Sequence, residues 1–130
     1  MNKLIVNITI LILLFLNVKE GYAQCFNCSS QYPAATQTTT STSLVNVSTC
    51  MWGGDYAVFD VTAGETYTWT TCANGAYDTQ LTLFQGASCG GTDLDDNDDD
   101  CGLQSTITWT ATFTGQVSVL VSEYNCVSNS

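Results

Sequence analysis

The chain has 130 residues, with 12 acidic and 2 basic side chains, no histidine and a formal charge of −10. That length fits one domain. Its two lysines lie at positions 3 and 19, which excludes phosphate-neutralising nucleic-acid binding, imidazole-based catalysis, a Walker lysine and histidine-built zinc or copper sites.

Residues 1–23 read as a secretory signal peptide. Lys3 supplies the positive start, Leu4 to Leu16 the apolar stretch, and Gly21-Tyr22-Ala23 the small residues of a cleavage site. That stretch of 13 residues is short of the roughly 20 that span a bilayer. Cleavage after Ala23 would remove both lysines and Glu20, leaving 107 residues with 11 acids and no basic side chain. Such a chain is repelled by anionic membranes, and no membrane insertion is expected.

Residues 24–43, rich in Ser, Thr and Gln, read as an extended lead-in. From residue 44 the apolar period is two, the period of a strand. Leu44 to Thr49 sets Val45 and Val47 on one face, and Tyr56 to Val61 sets Ala57, Phe59 and Val61 together. After a turn at Thr62-Ala63-Gly64, Tyr67 and Trp69 alternate with Thr66, Thr68 and Thr70. A second turn at Asn74-Gly75 leads to Thr79–Phe84, with Leu81 and Leu83 inward. From Thr106 to Thr114, Ile107, Trp109, Ala111 and Phe113 oppose a row of threonines, and Val117, Val119 and Val121 align in the last strand. The prediction is an all-β domain over 44–130, an antiparallel, jelly-roll-like β-sandwich stabilised by disulfides. Trp69 and Trp109 fall on core registers. Trp52, in the Met51-Trp52-Gly53-Gly54 loop, is the ligand-contact candidate.

Seven cysteines fit an exported, oxidising setting: Cys25, Cys28, Cys50, Cys72, Cys89, Cys101 and Cys126. Cys25 and Cys28 have redox-motif spacing but no strand–helix context, and four-thiolate zinc binding needs a second close pair that is absent. Cys89 and Cys101 bracket the acidic stretch and are expected to close it as a loop. Two of Cys50, Cys72 and Cys126 are expected to pair across strand ends. The odd thiol would serve a covalent or tandem neighbour.

The acidic run is the main chemical signal. Asp93, Asp95, Asp96, Asp98, Asp99 and Asp100 put six carboxylates into eight residues. Oxygen-only, hard ligands select Ca²⁺ over softer metals. The run is not an EF-hand, because Asp100 stands where the sharp turn needs glycine. The expected site takes Asp96, Asp98 and Asp99 from this loop and Asp78 from outside it. The competing reading is a solvated loop that keeps the protein soluble.

The order of several short motifs resembles the pre-peptidase C-terminal-like β-sandwich domains of secreted bacterial proteins. They are Val61-Thr62-Ala63-Gly64-Glu65-Thr66-Tyr67, Tyr77-Asp78-Thr79-Gln80-Leu81-Thr82-Leu83-Phe84, Asn97-Asp98-Asp99 and Thr108-Trp109-Thr110-Ala111. The likeness covers about residues 44–126, although this chain has more cysteines than the usual form. It implies a non-catalytic module on an extracellular or cell-surface protein, in anchoring, substrate engagement or maturation. It also implies calcium at Asp78 with Asp98 or Asp99. The expected function is therefore binding or adhesion, with an extracellular glycan or protein as partner. The alternative is a structural repeat or piece of a larger surface protein without a ligand of its own. A carboxylate-based glycoside hydrolase is the one catalytic chemistry left, but the acids sit in one run rather than on opposite cleft walls, and no enzyme is expected.

Overall fold

The computed structural model describes residues 25–73 and 75–128, so the signal-peptide reading and Asn74 of the predicted turn lie outside the described residues. The fold is all-β and antiparallel. Its strands are β1 (Tyr56–Val61), β2 (Thr66–Thr70), β3 (Thr79–Gln85), β4 (Asp93–Asp98), β5 (Thr106–Thr110) and β6 (Gly115–Glu123). A four-stranded sheet runs β1-β6-β3-β4, and a two-stranded sheet pairs β2 with β5.

The two sheets meet over Ala57, Phe59, Val61, Leu81, Leu83, Val117, Val119 and Val121 from the large sheet and Trp69 and Ile107 from the small one. Phe59 and Trp69 meet edge-on, with ring centroids 5.5 Å apart. These are the inward positions that the period-two pattern assigns. Trp109 is half-buried beside Phe113 and packs against the same core, as expected. On the outer face of the small sheet, Thr66, Thr68 and Thr70 stand opposite Thr110, Thr108 and Thr106, each pair joined by a hydroxyl hydrogen bond of 2.8–3.1 Å. Threonine suits this face because its branched Cβ favours the strand while its hydroxyl faces water.

The lead-in does more than precede the sandwich. Tyr32 N–H donates to Tyr56 C=O and Gln37 N–H to Val58 C=O, so residues 29–37 run along the otherwise bare edge of β1. Phe26 packs on Phe84 at 5.4 Å, and Cys25 joins Phe84 and Leu120 in a second buried cluster behind the large sheet. That cover is why β3 is buried from Thr79 to Phe84, polar positions included.

Three expectations are corrected. Leu44–Thr49 is not a strand, because no neighbouring backbone pairs with it. The predicted strand from Thr106 to Thr114 ends at Thr110, and a bend separates it from β6. The acidic run is not a loop: Asp93–Asp98 is the outer strand of the large sheet, hydrogen-bonded to β3.

That strand also overturns the Cys89–Cys101 bridge. Six extended residues span about 20 Å, so the two cysteines stand at opposite ends of β4. Each bonds elsewhere. The three disulfides are Cys25–Cys126, Cys28–Cys89 and Cys72–Cys101, with Cα separations of 5.2, 6.1 and 5.9 Å. No two of Cys50, Cys72 and Cys126 pair with each other, and Cys50 is the exposed, unbonded thiol. Two of the bridges fasten the lead-in, one to the end of β6 and one to the turn between β3 and β4. Three disulfides in so small a domain are compatible with an extracellular location. Among the described residues no helix is long and apolar enough to cross a membrane.

Candidate metal centre and adjoining cavity

At the end of the large sheet where β3 begins and β4 stops, Asp78, Asp98 and Asp99 converge. One carboxylate oxygen from each lies within 4.8 Å of the others. The chain brings them together by register. Asp98 stands opposite Gln80 on β3, whose Nε2 donates to Asp98 Oδ2 at 3.0 Å. Asp99 takes a left-handed backbone, φ 60°, which turns the chain off the strand and leaves its carboxylate beside that of Asp98. Asp78 immediately precedes β3, and its carbonyl accepts from Tyr124 N–H at 3.0 Å. The Cys72–Cys101 bridge and the hydrogen bond from Asp100 N–H to Gln104 C=O hold the following turn in place.

Asp96 is placed apart from this group. It faces Thr82, two residues back along β4, about 7 Å from the Asp98 position. Strand spacing therefore removes it from a cluster that a flexible loop would have let it join.

Electrostatics make the cluster costly as it stands. At such separations each like-charge pair is unfavourable by about 1–3 kcal/mol between water-like and surface-like screening. No lysine, arginine or histidine occurs among the described residues. Asp78 Oδ1 and Asp98 Oδ1 are buried without a hydrogen-bond partner. Burial pushes the Asp78 carboxyl above the ordinary range, and the charges of Asp99, Asp98 and Glu123 push it further. The residues fit a hard divalent cation: three carboxylates, two with buried unpaired oxygens, and no soft or nitrogen donor.

Trp52 stands elsewhere, 52 % exposed, at the mouth of a cavity of about 560 Å³. Its turn is fixed by Asp55, a buried carboxylate to which the sequence reading gave no role. Asp55 Oδ2 accepts from Trp52 N–H at 3.0 Å, while Oδ1 accepts from the hydroxyls of Ser30 (2.8 Å) and Ser29 (3.2 Å). The available signal was an isolated acid directly after Gly53-Gly54, where a turn needs its amide groups capped. Tyr77 opens one of the quoted motifs, with no role assigned to it there. Its ring lines the cavity and its hydroxyl donates to Met51 C=O at 3.2 Å.

The model of a family described as a domain of unknown function, DUF8695, matches residues 45–130. No curated protein and no solved structure matches the chain.

Proposed function

The chain belongs to the DUF8695 family, and we propose that it is a secreted, non-catalytic binding module whose sandwich is clamped by Ca²⁺ at Asp78, Asp98 and Asp99. One observation carries the metal reading: Asp78 and Asp98 each hold a buried, unpaired carboxylate oxygen, and their carboxylates converge with that of Asp99 where no described cation can answer them. Asp99 is exposed, so the site opens to solvent and a cation can enter while keeping some of its water. The resemblance of its motif order to pre-peptidase C-terminal-like domains supports the same reading, as does the disulfide content. The non-catalytic part is supported by the placement of the acids. Those that converge form one tight group, and no described residue lining the cavity is charged. Paired carboxylates on facing walls, as glycoside hydrolysis needs, do not form there. The partner in this reading is an extracellular glycan or protein, and the exposed Cys50 thiol leaves a covalent neighbour open to the module.

Thermal melts test the clamp. Extracellular calcium sites bind at about 0.1–1 mM. A tenfold excess over Kd would add about 1.4 kcal/mol, or roughly 5 °C for a domain of this size. CaCl₂ at about 10 mM, that tenfold excess, should raise the melting temperature, NaCl at matched ionic strength should not, and Asp98→Asn with Asp99→Asn should abolish the rise. Equal responses to the two salts would reduce the cluster to a screened acidic surface.

A further inference from the structure

We propose that the cavity between residues 44–52 and the two sheets is a binding site for a small, uncharged, largely apolar molecule. The cavity follows from the unequal sheets. Two strands at about 4.8 Å spacing cover only half the width of four. Part of the inner face of the large sheet, including Ala57, Leu81 and Val121, is therefore roofed by the strap of residues 44–52, which has no backbone ladder. The strap packs partially. Val47 and Met51 turn toward the core, whereas Leu44, Val45 and Trp52 line the opening at 70, 57 and 52 % exposure.

The space left beneath it, about 560 Å³, lies within the usual range of small-molecule sites. Its apolar walls hold water poorly. The chemistry of the lining selects the occupant. None of the described residues around the cavity is charged, in a chain with 12 acids. An anion would meet the repulsion of the whole molecule, and a cation would find no carboxylate inside. Aromatic faces come from Trp69, Tyr77 and Trp52, with neutral polar contacts from Asn46, Thr70 and Thr71. Burial, then the charges of Asp55 and Glu123, push the Tyr77 hydroxyl up to about 12, so it remains neutral at working pH and keeps its bond to Met51 C=O. At the rim, Asp55 fixes the Trp52 backbone, giving the opening one rigid post.

The neutral fluorophore N-phenyl-1-naphthylamine is a suitable probe. Titrated into the intact protein, it should brighten with saturable, one-per-chain binding. Ala57→Phe, which fills the floor of the cavity, should abolish that binding with the fold intact by near-ultraviolet circular dichroism. Trp52→Ala, at an exposed position, should weaken it about tenfold. If Ala57→Phe does not fold, the Trp52→Ala titration decides alone. Asp98→Asn with Asp99→Asn should bind the probe as wild type does, because the acidic cluster and the cavity share no residue. Linear, unsaturating uptake, or an affinity unchanged by Trp52→Ala, overturns the proposal.

Discussion

Asp78 holds a buried carboxylate oxygen with no hydrogen-bond partner, beside the carboxylates of Asp98 and Asp99. Its position before an alternating strand and the absence of internal cations were enough to nominate it as a ligand. Its orphaned, buried oxygen was not legible, because burial depends on the turn after β4 and the backbone of Tyr124, both far away in the chain. Asp96 failed for the complementary reason: equal composition does not mean equal placement once a strand fixes which neighbours stand side by side. The raised Asp78 carboxyl has a consequence with a definite sign. A group that holds its proton more tightly when folded adds stability that is fully present below the ordinary aspartate range, near 3.9, and lost as pH rises through its folded value. Metal-free protein should therefore become less stable as pH climbs through that window. Calcium needs the deprotonated form, so its stabilising effect should fade on acidification through the same window. Melts from about pH 3 to 7, with and without calcium, should show opposite trends, and Asp78→Asn should flatten the metal-free one. Asp93, also raised by burial and by Asp96 and Asp95, will leave a residual slope in that variant.

At the scale of elements, β1, β2, β3 and β6 were legible because apolar residues recur every second position and turns lie between them. β4 was not. Aspartate and asparagine are poor strand formers, and Leu94 is the one apolar residue in Asp93–Asp98. The strand exists because β3 offers it a ladder, broken by one irregularity at Leu94, and its place at the margin of the sheet leaves Asp96 exposed to water. An acidic margin also resists pairing with a second chain. The reverse happened at Leu44–Thr49, where the period is right but no partner strand is within reach, and a period alone cannot supply hydrogen bonds. Asn97, hidden among aspartates, acts differently from them. Its Oδ1 accepts from Thr106 N–H at 2.9 Å, tying β4 of one sheet to β5 of the other. Asn97→Ala should cost about 1–2 kcal/mol in urea unfolding, with little change in m. No loss would show that water replaces the side chain without penalty.

At the scale of the whole molecule, composition and cysteine count indicated a cross-linked sandwich, but connectivity is set by three-dimensional proximity that spacing does not encode. The lead-in became part of the body because two of its cysteines are bonded to distant strand ends. The Cys25–Cys126 bond spans 101 positions and holds its two Cα atoms 5.2 Å apart. Consider tension applied through handles attached outside this pair. The load passes from one handle to the other across a single covalent link, and the strands between them carry none of it. Under oxidising conditions the module is then an inextensible rivet rather than a spring. Force spectroscopy should record no length gain from the enclosed chain, and reduction should release about 350 Å of it at roughly 3.5 Å per residue.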